Sequence, residues 1–136
     1  MEADTEIPKA LRAWFVVHFI ADILFAVPLF IVPDFLLNLL NWQSVDPLMA
    51  RMVAAALFGI GIESLLCMKL GKDAFIAMLN LKIIWSFAAI TGFIIGLSQG
   101  LFGHIAVGIS LLLIFTAFNI LWIYWRLYFK KLEVIN

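Results

Sequence analysis

Cysteine is almost absent from this chain: the 136 residues include one, Cys67. A single cysteine excludes an internal disulfide and any CxxC pair, and with them the quinone-linked thiol oxidoreductases of membranes. Near the end of a span, Cys67 reads as a small apolar filler, with palmitoylation as the alternative. Charge is also scarce, at 13% of residues, and nine basic side chains balance nine acidic ones. The zero total argues neither for nor against nucleic acid. The two histidines, His18 and His104, fall toward opposite faces of the membrane and so are too far apart to ligate one haem. There is no HExxH, GxSxG, Walker loop or calcium loop. The adjacent Glu-Arg and nearby Asn of the four-helix glutathione-linked eicosanoid enzymes are missing. So is the pattern that surrounds the essential first-span acid of the small multidrug exporters.

What is present is apolar. Hydrophobic residues make up 65% of the chain, and mean hydropathy is +1.11. A soluble domain is nearer ~45–50% apolar. The chain is therefore read as one integral membrane domain over 1–136. Four stretches of about 20 apolar residues each match the ~30 Å hydrocarbon layer. They cover 10–32, 47–70, 74–97 and 104–124. Acidic Glu2, Asp4 and Glu6, and the length of the first stretch, argue against a cleaved signal peptide. Between the first two spans, residues 34–42 predict a short interfacial helix. Pro33-Asp34 is its start signal, Phe35, Leu36, Leu39 and Leu40 lie on one face, and Trp42 is an anchor at headgroup depth. The expected fold is all-α, a four-span bundle with that helix after the first span.

The basic residues set the orientation. Lys9, Arg12, Lys69, Lys72, Arg126, Lys130 and Lys131 share the side of both termini and the 71–73 turn, while Arg51 stands alone on the other. The positive-inside rule then places both termini in the cytoplasm of a multi-pass cell-membrane protein. These side chains read as topology and headgroup contacts, with no nucleic-acid site.

Among the ionisable groups inside the spans are His18, Asp22, Arg51, Glu63 and Lys82. Each costs ~2.5–3.5 kcal/mol near a helix centre, so it must pair, meet water or do chemistry. On the ~1.5 Å rise per residue, His18 and Lys82 lie ~12 Å in, Glu63 and Asn119 ~10 Å, and Asp22 ~16 Å. His18 and Asp22 are four apart and stack on one helical face. Glu63 shares a face with Ala55 and Gly59, Lys82 with Ser86 and Ala89, and Asn119 with Gly108, Leu112, Phe115 and Trp122. These faces point inward to a common polar centre. His18 and Asp22 form its proton-responsive pair, Glu63 and Lys82 an ion pair that shapes it, and Asn119 a neutral ligand. A purely structural arrangement uses the same charges as two ion pairs, Glu63 with Lys82 and Asp22 with Arg51. Separately, Ala88, Gly92, Gly96 and Gly100 form a small-residue ridge for helix packing, against the fourth span or a second subunit.

Ala50-Arg51, Ala54-Ala55-Ala56 and Gly59-Ile60-Gly61 followed by a basic turn resemble the second span of the DoxX-like small membrane proteins. Phe30-Ile31-Val32-Pro33 before an apolar interfacial segment is similar too. The resemblance covers about half of the chain. It implies a prokaryotic-type four-helix bundle and no defined reaction, so no catalytic residue carries over.

Three functions follow. The first is a non-enzymatic membrane protein whose polar centre binds or passes a small polar or ionic species. The second is an accessory subunit whose charges only fix helix packing. The third is an intramembrane enzyme acting on a lipid, with Asp22 or Glu63 as base. The expected partners are the bilayer, a small ligand and a second copy of the chain, and no cofactor or metal is expected. The orientation is testable: cysteines at Asp4, Lys72 and Glu133 should resist an impermeant reagent in intact cells, and one at Ser44 should react. Labelling at position 72 from outside would reverse the topology.

Overall fold

The computed structural model describes residues 7–135, so the acidic residues Glu2, Asp4 and Glu6 lie outside the described part. Five α-helices follow in order: α1 (Lys9–Ile31), α2 (Pro33–Leu39), α3 (Pro47–Leu66), α4 (Lys72–Ser98) and α5 (Ile105–Ile135). A 3₁₀ turn, Cys67–Lys69, ends the third. α1, α3 with its 3₁₀ turn, α4 and α5 are long and apolar enough to cross a membrane. The protein is a multi-pass membrane protein with the expected all-α architecture.

Local chemistry sets the boundaries. At the start of α3, Asp46 Oδ1 accepts hydrogen bonds from the backbone N–H groups of Leu48 (2.9 Å) and Met49 (3.0 Å), and Pro47 occupies the first helical position. The interfacial helix α2 is shorter than expected. It stops at Leu39 because Asn41 takes a left-handed φ of 52°. Trp42 then pairs with Phe102 in an isolated antiparallel bridge, with ring centroids 4.8 Å apart. α5 runs well past Tyr124, because nothing in residues 125–135 breaks a helix.

The spans pack as two close pairs, α1 with α3 and α4 with α5. The pairs join at the end that carries the 67–71 turn and both ends of the described chain. Leu11 and Phe15 of α1, Phe75 and Leu79 of α4, and Trp122 and Phe129 of α5 are fully enclosed there. Phe15 lies 5.0 Å from the Phe75 ring and edge-on to Trp122 at 5.8 Å. Lipid gives helices little hydrophobic reason to associate, so this aromatic packing is the main cohesive force between the pairs. The rim adds Arg12 Nη1 donating to the Met68 carbonyl at 2.6 Å and an exposed Lys72–Glu133 ion pair at 3.3 Å.

At the opposite end the two connections are latched. The Gly103 N–H donates to the Asn41 carbonyl at 3.1 Å, beside the Trp42–Phe102 pair. The ridge predicted on α4 is only partly used. Gly96 is buried against Phe102, whereas Gly92 and Gly100 face open space and Ala88 is exposed. On α5, Gly108 admits Leu97 and Phe102.

A Cβ at Gly103 would overlap the Asn41 carbonyl oxygen, a backbone atom that cannot swing aside, whereas Gly59 has nothing near it. Gly103→Ala should therefore lower the unfolding temperature in detergent, read by circular dichroism. Gly59→Ala should leave it unchanged or raise it, since a helix interior favours alanine by ~1 kcal/mol. Equal behaviour of the two variants would contradict the latch.

Candidate functional site

Between the latch and the aromatic layer the two helix pairs part around a cavity of about 710 Å³. Its walls are apolar, with Phe25 and Leu29 from α1, Leu36 and Leu40 from α2, Leu57 from α3, Trp85 and Phe93 from α4, and Phe115 and Phe118 from α5. The apolar face read on α2 is thus divided. Leu36 and Leu40 turn to the cavity, while Phe35 and Leu39 stay exposed. Lining residues Phe25 and Ile114 are exposed on the α1/α5 seam, and Val53 on the α3/α4 seam. The cavity is therefore open between the helix pairs, and also at the 44–49 connection, where lining residues Ser44, Asp46 and Met49 are exposed.

Of the expected residues, His18, Asp22 and Lys82 line it, together with Ser86 and, near the latch, Ser44 and Asp46. Lys82 is only 1% exposed. Its Nζ lies 3.0 Å from His18 Nδ1 and 5.1 Å from the ring centroids of both Phe15 and Trp122. A desolvated cation over an aromatic face gains ~2 kcal/mol. Two such faces match the ~2.5–3.5 kcal/mol cost of inserting a lysine. The ammonium therefore needs no carboxylate and does not extend to the headgroups. His18 is held in turn, edge-on to Phe118 at 4.9 Å and to Trp122 at 5.2 Å.

Asp22 completes the group. Its Oδ2 is 2.8 Å from the same His18 nitrogen. A ring nitrogen either accepts or donates, never both. With Nδ1 accepting from Lys82, it has no hydrogen for Asp22, and Oδ2 is a buried atom without a hydrogen-bond partner. The carboxylate can stand this close to the bundle axis because α3 presents Gly61 to it. A Cβ there would sit 3.0 Å from Asp22 Cβ and 3.4 Å from Oδ2. In the sequence Gly61 stands out only as part of the Gly59-Ile60-Gly61 motif, and nothing local marks it as the seat of the acid.

Two expected members are elsewhere. Glu63 is exposed, lines no part of the cavity and makes no ion pair among the described residues, so the predicted Glu63–Lys82 pair does not form. α3 is turned so that Ala50, Ala54, Gly61 and Ser64 are buried, which sends the Ala55, Gly59 and Glu63 face outward. Asn119 is buried but absent from the cavity wall. Its Nδ2 donates to Ser86 Oγ at 2.8 Å and to the Ile83 carbonyl at 3.1 Å, clamping α5 to α4. Ser86 Oγ donates to the Lys82 carbonyl at 2.6 Å. Nor does Arg51 reach Asp22. It is exposed, and its Nε donates to the Phe30 carbonyl at 3.1 Å. Trp122, expected on the same inward face as Asn119, is a wall of the lysine cage. Among the described residues, no three His, Cys, Asp or Glu side chains converge to hold a metal ion.

This geometry reverses the coupling expected from sequence. In double-mutant cycles read by unfolding in detergent, Glu63→Gln and Lys82→Met should add with no interaction energy. Asp22→Asn and Lys82→Met, which both act on His18, should couple by ~0.5–3 kcal/mol. Strong coupling of the first pair and none in the second would overturn the assignment.

No protein-family model, no curated protein and no solved structure matches the chain.

Proposed function

We propose that this protein is a non-enzymatic membrane protein that takes a largely apolar ligand from the lipid phase into the cavity between its helix pairs, with the ligand's polar end at His18, Asp22 and Lys82. The observation that carries this reading is a largely apolar, open space of about 710 Å³ with the His18, Asp22 and Lys82 cluster in its wall. Ligand sites of ~300–1,000 Å³ with mostly apolar walls and a few polar groups are the usual form of a small-molecule pocket. Apolar walls favour an amphiphile over a small free ion. Passage across the membrane is disfavoured too, because a route to the end of the bundle bearing the 67–71 turn meets the enclosed layer of Phe15, Phe75, Leu79 and Trp122. In the orientation read from the basic residues, that layer faces the cytoplasm of the cell membrane and the latch faces outside. Kinship with the DoxX-like proteins belongs to the same proposal. It is supported by Ala50, Ala54 and Gly61 of the motif lying on the buried face of α3.

A second reading, an accessory subunit whose polar groups only fix packing, draws on the complete enclosure of Lys82. Photolabelling separates the two. A long-chain hydrocarbon bearing a diazirine, added to the protein in bilayers, should label cavity residues such as Trp85 and Phe93. Gly92 lines the cavity, and a Cβ there meets nothing. Gly92→Leu should therefore fill space without disturbing the fold and reduce that labelling severalfold. Label confined to outward residues such as Leu24, Phe87 and Leu113, unchanged by Gly92→Leu, would favour the packing role.

A further inference from the structure

The polar cluster is short of one hydrogen. Lys82 brings three N–H donors, and they are accounted for by His18 Nδ1 and the faces of Phe15 and Trp122. His18 Nδ1, as acceptor, has none to give. Asp22 has a side chain 7% exposed, and Oδ2 has no partner. Oδ1 receives no hydrogen bond from the described residues either. Ser86 and Asn119, the buried polar donors of α4 and α5 beside Lys82, are committed to the Lys82 and Ile83 carbonyls and to each other. A buried carboxylate left this way is costly, because it loses the hydrogen bonds water gave it. The carboxylate lines the wall of the cavity, so the missing donor has one place from which to arrive.

We infer that the ligand is a lipophile ending in a hydroxyl group, which donates its hydrogen to the Asp22 carboxylate. This inference rests on the reading of the cavity as a lipid-phase pocket and names the class of ligand. The alternatives fail on charge or on hydrogens. Within the cluster one cation, Lys82, and one anion, Asp22, sum to zero, so a neutral head adds no net charge there; Asp46, the other carboxylate of the lining, is exposed and caps α3. A fatty carboxylate brings a second anion beside Asp22 and no hydrogen. A fatty amine brings a second cation beside Lys82. Ethers and ketones accept but do not donate, and so leave Asp22 as it was. A hydroxyl supplies the hydrogen and remains neutral.

The test uses the full chain in bilayers and four competitors with one saturated hexadecyl chain: the alcohol, its methyl ether, the carboxylate and the amine. Each is titrated against photolabelling of Trp85 by the diazirine hydrocarbon. Hydrogen bonds to charged groups correspond to a factor of ~10–100 in affinity. The alcohol should therefore displace the label at ~10–100-fold lower concentration than the methyl ether. It should also outcompete the carboxylate and the amine. In Asp22→Leu the gap between alcohol and ether should close while labelling by the hydrocarbon persists. The wild-type comparison decides the matter even if that variant fails to fold. Ether and alcohol competing equally, or the carboxylate or amine competing best, overturns the hydroxyl assignment and leaves the pocket standing. Failure of the hydrocarbon to label the cavity at all overturns both.

Discussion

A lysine ammonium buried at membrane depth is the constraint around which the bundle is arranged. Lys82 must be stabilised where neither water nor headgroups reach it, and the protein does this with Phe15, Trp122 and His18. Those three come from the first and last spans, and Lys82 from the third. Satisfying one cation therefore draws α1 across the α4–α5 pair. The large rings also act as spacers. They hold α1 far enough from α4 and α5 that close backbone packing stays within each pair, and a cavity remains above the polar cluster. Were Lys82 to escape to the interface, the aromatic layer would lose its filling and His18 its donor.

Within the polar cluster the three members are unequally served. Lys82 and His18 satisfy each other, so Asp22 is the member left over. Gly61 sets its position, because a Cβ there would press on the acid at 3.0 Å. Asn119 and Ser86 then bind α4 to α5 just behind the cluster. The site is thus fixed from behind by a polar clamp, from below by aromatic packing, and left open toward the apolar cavity.

Much of the architecture is legible in the amino-acid sequence, because lipid imposes simple rules. Apolar length defines the spans, and proline with aspartate marks the starts of α2 and α3. Membership of His18, Asp22 and Lys82 in one polar cluster is also legible, from depth and from the i, i+4 spacing of the first two. The rotation of α3 is not. Ala55, Gly59 and Glu63 look like an inward face because small residues and a charge are both expected inside. A second face, with Ala50, Ala54, Gly61 and Ser64, is equally small, and the close approach of Asp22 selects it. Charge complementarity misleads for a related reason. An acid and a base at equal depth on adjacent spans suggest an ion pair, yet aromatic faces solvate the lysine and the acid is free to turn outward. The Trp42–Phe102 latch joins residues sixty positions apart and leaves no local pattern to read.

The most direct test is solid-state NMR of the protein in lipid bilayers with nitrogen-15 lysine and histidine, reading which nuclei lie near the Lys82 ammonium. The account predicts through-space contact between Lys82 Nζ and the His18 ring and with the aromatic carbons of Phe15 and Trp122, and no contact with lipid phosphorus. Contact of that ammonium with headgroup phosphorus or with the Glu63 carboxylate would contradict it.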